Sequence, residues 1–80
     1  MIVIDDDEPL RETLASLLED EGLTVELYPH AEAFLESFES ARQGCLLIDA
    51  VMPGIGGLEL LYHLRGSGSQ LPAIMMTGHG

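Results

Sequence analysis

Three short runs made only of apolar residues limit most strongly what this chain can fold into. They cover residues 1–4, 45–48 and 73–76. A strand that lacks a polar face is buried on both faces, which is typical of a parallel sheet covered by helices. A fourth run, residues 23–27, alternates apolar and polar residues, so it predicts a strand at an edge or with one covered face. The sequence therefore predicts a sheet of four strands.

Amphipathic stretches between these runs predict three helices. The first helix carries four leucines spaced along one helical face, namely Leu10, Leu14, Leu17 and Leu18. The apolar positions of the second helix are Ala31, Phe34, Leu35 and Phe38. A third helix is predicted from about Leu58 to Arg65. Strands and helices alternate along the chain, which favours right-handed βαβ units, an open parallel sheet and hence the α/β class.

The charge balance excludes several classes of partner. The 80 residues include 14 acidic and 3 basic side chains, which gives a formal net charge of −11. Binding to nucleic acid or to an anionic membrane surface needs lysine and arginine, so neither partner is expected. A single cysteine excludes an internal disulfide, and no apolar run approaches the roughly 20 residues of a membrane helix. We therefore expect a cytoplasmic protein.

Aspartates follow two of the apolar runs, at the point where each predicted strand ends. Asp5 and Asp6 come directly after the first run, Asp49 follows the second, and Thr77 follows the last. In open α/β sheets the ligand crevice lies beyond the carboxyl ends of the strands. If the first and third strands are neighbours, the three carboxylates meet in one crevice. Crowded like charges are costly unless they take up a proton or bind a cation.

A hard divalent cation is the ligand that such oxygen atoms favour, and Mg²⁺ is usually held by one or two carboxylates together with waters and phosphate oxygens. A carboxylate beside Mg²⁺ can act as a nucleophile toward phosphorus, which forms an aspartyl phosphate. The ordinary alternative is helix capping. Capping explains Asp7 and Glu8 well, but it explains Asp5 and Asp6 less well, because one cap needs only one residue.

Three segments carry a more specific pattern. Residues 4–11 read IDDDEPLR, residues 47–57 read LIDAVMPGIGG with a D-x-x-M-P-x-x-x-G spacing, and residues 76–80 read MTGHG. Together they resemble the receiver domain of two-component response regulators, and the resemblance covers essentially the whole chain. Residues 31–35, which read AEAFL, and the final segment are similar to the FixJ-like branch of that family.

The resemblance implies a fold and a domain organisation. The fold would be a flavodoxin-like open parallel sheet with strand order 2-1-3-4. Residues 1–80 would form a partial receiver domain of the pattern βαβαβαβ, in which the family's fifth strand and last two helices are missing.

The resemblance also implies a set of site residues. Asp49 would accept a phosphoryl group from a histidine kinase. Asp6, Asp49 and the backbone carbonyl of Val51 would bind Mg²⁺, and Asp5 would assist directly or through a water. Thr77 would be the switch hydroxyl that approaches the phosphate.

Two departures from the family pattern keep alternatives open, namely the missing elements described above and a missing lysine. Receiver domains usually carry a lysine at the end of the fifth strand that pairs with the phosphate, whereas this chain has no lysine. The leading hypothesis is a signalling module rather than an enzyme with substrate turnover. The first alternative is a phosphorylation-independent interaction or dimerisation fragment, which the missing lysine favours. The second is a phosphohydrolase that works through an aspartyl phosphate and needs a second acid and a substrate pocket.

The predicted position of the fourth strand has a further consequence. With no neighbour beyond it, this strand would expose unpaired backbone N–H and C=O groups along one edge of the sheet. Apolar residues such as Ile74 and Met76 would lack cover on one face. We therefore expect self-association through the edge of the fourth strand, or weak folding as a monomer.

Overall fold

Four parallel strands alternate with three helices in the part of the chain that the structure, a computed structural model, describes: residues 1–39 and 42–76. In chain order the elements are β1 (Ile2–Ile4), α1 (Glu8–Asp20), β2 (Glu26–Tyr28), α2 (Ala31–Glu36), β3 (Leu46–Asp49), α3 (Gly57–Gly66) and β4 (Ala73–Met76). The predicted α/β class and the alternation of strands and helices are confirmed. The expected position of the switch hydroxyl, Thr77, lies outside the described residues.

The strand order is β2-β1-β3-β4, as predicted. All neighbouring strands are parallel, and Ile4 of β1 is the register partner of Ile48 in β3. The order changes direction between β1 and β3, so the crevice expected for this topology lies at the carboxyl ends of these two strands. Strand β2 spans three residues and begins at Glu26 rather than at the predicted residue 23, because β1, its pairing partner, is equally short.

The main core lies on the sheet face that α2 and α3 cover. Its largest fully buried members come from both central strands and both helices: Ile2, Ile4, Phe34, Leu46, Ile48, Leu60 and Leu64. The ring of Phe34 stands edge-on to Tyr28, with 5.3 Å between the ring centroids. Burying aliphatic and aromatic side chains of this size stabilises the fold by about 1.5–3 kcal/mol each.

Helix α1 contacts β1 and β2 from the other face of the sheet. Its buried residue is Ala15, flanked by the half-buried Leu14 and Leu18. Of the four leucines predicted to share one face of this helix, Leu10 and Leu17 are 40% and 59% exposed. The buried side of the helix is centred on the small Ala15 side chain. Leu10 and Leu17 lie on the flank of the helix that is exposed.

Strand β4 is the edge of the sheet within the described residues, where it pairs with β3 alone. Ile74 is 54% exposed there, as predicted, whereas Met76 is half-buried. Within the same residues no helix is both long and apolar enough to cross a membrane.

Candidate metal centre

The ends of β1 and β3 bring three carboxylates together. Asp5 follows β1 directly and Asp49 is the last residue of β3, so the pairing of Ile4 with Ile48 places the two aspartates side by side. With Asp6 they form a group in which one carboxylate oxygen from each aspartate lies within 4.8 Å of the other two. Asp5 and Asp49 are buried to within 1% of full burial, whereas Asp6 is exposed. The cluster is therefore closed on the sheet side and open to solvent on the side of Asp6.

The turn from β1 into α1 holds the first of these carboxylates. The backbone N–H of Asp7 donates to Oδ1 of Asp5 at 2.9 Å, and the N–H of Asp5 donates to the carbonyl of Tyr28 at 3.2 Å. Asp7 caps α1, because its Oδ1 accepts from the N–H of Leu10 at 3.2 Å. The capping explanation is thus confirmed for Asp7, and Asp5 and Asp6 have no part in that cap.

Asp5 carries the clearest electrostatic signature of the site. Burial raises the pKa of its carboxyl above the ordinary value, and the neighbouring carboxylates of Asp49 and Asp6 raise it further, while the hydrogen bond from Asp7 N–H opposes them. Its second oxygen, Oδ2, is buried and accepts no hydrogen bond from the residues that the structure describes. A buried carboxylate in this setting is stabilised when it binds a cation or takes up a proton.

The loop after β3 orients Asp49. The N–H of Val51 donates to Oδ1 of Asp49 at 3.0 Å, and the N–H of Ala50 donates to the carbonyl of Met76 at 2.9 Å. Gly57 lets the start of α3 approach the end of β3, since a Cβ there would lie 2.6 Å from the carbonyl oxygen of Asp49. The glycine that closes the D-x-x-M-P-x-x-x-G pattern therefore has a steric reason.

Two predicted site residues remain, the metal ligand Val51 and the switch hydroxyl Thr77. Val51 lies two residues beyond Asp49 with its side chain exposed, and Thr77 falls outside the described residues. Within residues 1–39 and 42–76, the three aspartates are the one group of three or more acidic, histidine or cysteine side chains close enough to share an ion. His30 instead caps α2, accepting at Nδ1 from the N–H of Ala33 at 3.1 Å.

One contact at the site escaped the sequence reasoning. The guanidinium of Arg11 donates from Nη1 to the backbone carbonyl of Asp5 at 2.7 Å. The available signal was an arginine six positions after Asp5, in the first turns of a helix that begins at the acidic segment.

A cleft of about 460 Å³ opens beside the carboxylates. It is lined by residues of three loops and of α2, namely Asp6, Pro29, His30, Glu32, Pro53 and Gly54. Asp6 therefore faces a space that a phosphate-sized group can enter.

Comparison with known proteins identifies the family. A family model described as the response regulator receiver domain matches residues 1–80. The transcriptional regulatory protein FixJ of Azorhizobium caulinodans is 50% identical over 78 residues, which are 98% of this chain but 37% of that protein. A crystal structure of FixJ-N superposes with a TM-score of 0.90 at 40% identity, covering 99% of this chain and 63% of that one.

A similar structure at lower sequence identity was solved with a metal ion. The response regulator protein TrrA of Thermotoga maritima, solved in complex with Mg²⁺-BeF, has a TM-score of 0.79 and 29% identity, covering 98% of this chain and 70% of that one. The predicted resemblance to receivers and to their FixJ-like branch is thus confirmed, over a stretch that spans 37% of FixJ. This chain belongs to the family of response regulator receiver domains.

Proposed function

We propose that this chain is the phosphoacceptor module of a two-component signalling system, and that Asp49 accepts a phosphoryl group from a histidine kinase. The observation that carries the proposal is the position of the Asp49 carboxylate at the carboxyl end of β3, within 4.8 Å of the carboxylates of Asp5 and Asp6. The 50% identity to FixJ over 98% of the chain supports it.

The proposal includes a Mg²⁺ ion held by Asp6, Asp49 and the backbone carbonyl of Val51, with Asp5 assisting directly or through a water. The donor set fits, because it consists of oxygen atoms and because the buried Oδ2 of Asp5 has no hydrogen bond from the described residues. Similarity to TrrA, which was solved with Mg²⁺-BeF, supports the same choice of ion. When bound, Mg²⁺ offsets the repulsion between the carboxylates and the incoming phosphoryl group.

The residues of the chain have separate tasks in the transfer. An oxygen of Asp49 forms a bond to phosphorus while the P–N bond of the phosphohistidine breaks, and the released imidazole nitrogen keeps the electron pair and takes up a proton. The Val51 N–H orients the Asp49 carboxylate for this attack. Thr77 is proposed as the switch hydroxyl because it follows Met76, whose carbonyl accepts from the N–H of Ala50 next to Asp49.

The proposed module works without turnover of a separate substrate, so it is a signalling domain rather than an enzyme. Residues 1–80 are proposed to form one partial receiver domain in the cytoplasm. Its partner is a histidine kinase, and a second copy can associate through the exposed edge of β4. Neither nucleic acid nor a membrane surface is an expected partner, because the chain carries a net charge of −11.

The test is phosphorylation by a small phosphodonor, acetyl phosphate, with Mg²⁺, followed by intact-protein mass spectrometry. We expect the mass of one phosphoryl group on the wild-type chain and on Asp20→Asn, a matched control at an exposed aspartate of α1. Asp49→Asn and a sample with excess chelator should stay unlabelled. Equal labelling of Asp49→Asn would contradict the proposal, as would an unlabelled wild-type chain that binds Mg²⁺.

The same samples separate the two alternatives. Release of inorganic phosphate over many turnovers, abolished by Asp49→Asn, would favour a phosphohydrolase. A partner interaction that is identical for the wild-type chain and for Asp49→Asn would favour an interaction fragment that works without phosphorylation.

A further inference from the structure

We propose that Arg11 is a positioning residue of the cation site. Its guanidinium holds the peptide unit that joins Asp5 to Asp6, and it thereby sets where the two carboxylates lie. The inference rests on the Mg²⁺ site of the proposed function.

The guanidinium of Arg11 contacts the backbone of the acidic segment directly. Nη1 of Arg11 lies 2.7 Å from the backbone oxygen of Asp5, and this oxygen belongs to the peptide that links Asp5 with Asp6. The backbone N–H of Arg11 also donates to the carbonyl of Asp7 at 2.9 Å as α1 begins. A hydrogen bond from a charged donor is shorter and stronger than one between neutral groups. One side chain on a rigid helix therefore ties the acidic segment to α1.

Asp6 depends on this tie more than Asp5 does. Asp5 is held by three further features: its burial, its N–H bond to Tyr28 and the bond from Asp7 to its Oδ1. The side chain of Asp6 is exposed and makes no hydrogen bond to any residue in the described ranges. Its direction therefore follows from the peptide plane that Arg11 holds.

The other two arginines have different contacts. Arg42 forms an ion pair with Glu26, and Arg65 donates to the carbonyls of Ser69 and Leu71 at 3.1 and 2.7 Å. The chain has no lysine. Among the described residues, Arg11 is thus the basic side chain that contacts the acidic segment.

Two possible roles of Arg11 predict changes of opposite sign. If Arg11 acted only through its charge, its removal would make the carboxylate cluster more negative and cation binding tighter. If Arg11 positions the ligands, its removal lets the Asp5–Asp6 peptide rotate and makes cation binding weaker. Loss of a residue that orients metal ligands typically reduces metal affinity by roughly 10–100-fold.

The experiment measures Mn²⁺ binding through the electron paramagnetic resonance signal of the free ion, with Mg²⁺ affinity obtained by competition. Three chains are compared, namely the wild type, Arg11→Met and the control Arg42→Met, which loses the same charge far from the cluster. Thermal melts in chelator report the stability of each metal-free chain. We expect Arg11→Met to bind the ion about tenfold or more weakly, and Arg42→Met to bind it like the wild type.

The results separate the positioning role of Arg11 from the existence of the Mg²⁺ site. A folded Arg11→Met chain that binds the ion as tightly as the wild type, or more tightly, overturns the positioning role. A wild-type chain that binds no ion contradicts the proposed Mg²⁺ site itself. If Arg11→Met does not fold, Arg11→Gln replaces it with the same expected sign. If neither variant folds, Arg11 serves folding rather than positioning, and the inference is wrong.

Discussion

Two pairs of buried residues lie one step apart along β1 and β3, and one pair is aliphatic whereas the other is carboxylic. Ile4 and Ile48 are register partners and are fully buried in the core. Asp5 and Asp49 follow them by one position each and are buried almost as completely. Burial of each isoleucine stabilises the fold by about 1.5–3 kcal/mol, whereas burial of a carboxylate is unfavourable unless it is paired.

The difference explains how the chain can hold like charges together. Free in solution, three carboxylates would move apart. Here the register of two apolar strands brings Asp5 and Asp49 side by side, and the turn into α1 adds Asp6. The free energy of apolar packing therefore keeps the site assembled in the absence of a ligand, and a cation relieves part of the repulsion.

The largest expected effect comes from the apolar pair. Ile48→Ala removes a fully buried side chain from the middle of the core and should lower the free energy of unfolding by about 2–5 kcal/mol. A small domain has little stability to lose, so this change should abolish or greatly shift the thermal transition. The measurement is a melt followed by circular dichroism, with Leu58→Ala, at an exposed position, as the control. Equal shifts in the two variants would contradict the assignment of the core.

The second largest effect on stability is expected when a cation binds beside Asp5 and Asp49. Mg²⁺ at a hundredfold excess over its Kd should raise the free energy of unfolding by about 2.7 kcal/mol. The comparison is made against KCl of equal ionic strength, since a net charge of −11 also responds to general screening. Asp6→Asn should lose most of the response and the control Asp20→Asn should keep it. The same rise in all three chains would show that the effect is screening.

A smaller effect of opposite sign is expected when Asp5 is made neutral. Because its pKa is raised in the folded chain, folding takes up a proton between the ordinary value of 3.8 and the folded pKa. The stabilisation is complete below 3.8 and is lost as the pH rises through the folded pKa. Asp5→Asn avoids that loss, and its Oδ1 can still accept from Asp7 N–H.

In metal-free buffer, Asp5→Asn should therefore melt above the wild type at pH 7, by roughly 4–8 °C for each kcal/mol released. The difference should shrink as the pH falls toward 4. Melts of both chains across this range provide the measurement, and Asp20→Asn should show no such trend. A wild-type chain that is more stable than Asp5→Asn at pH 7 without metal would contradict the unfavourable burial of Asp5.

The sequence predicts this contrast well because both pairs depend on short-range patterns. Wholly apolar runs that end in aspartate identify the strands and place the acids at their carboxyl ends, and the strand order of the resembling family makes β1 and β3 neighbours. The predicted cap at Asp7 was also correct, since capping depends on residues three positions apart.

Features that depend on how helices, strands and turns pack against one another could not be predicted from the pattern of apolar and polar residues. Ala15 is the buried residue of α1, and two of the four leucines on this helix, Leu10 and Leu17, are exposed. The bond from Arg11 to the carbonyl of Asp5 depends on the shape of the turn between β1 and α1. The need for glycine at position 57 arises from a backbone approach between β3 and α3.

The smallest effect on stability is expected at the edge of the sheet. Ile74→Lys places a charge on an exposed edge-strand residue and should change the free energy of unfolding by less than about 0.5 kcal/mol. Edge lysines oppose strand pairing between molecules. The variant should therefore reduce self-association, which sedimentation velocity at several chain concentrations would measure.

Salt and a matched variant make this last prediction specific. Added salt should increase association of the wild type, because chains with a net charge of −11 repel one another. Leu17→Lys, on α1 and 59% exposed, introduces the same charge on the helix that contacts β1 and β2 and should leave association unchanged. Equal loss of association in both variants would show that the effect does not come from the β4 edge. A wild-type chain that is monomeric at every concentration would show that the bare edge of β4 does not pair.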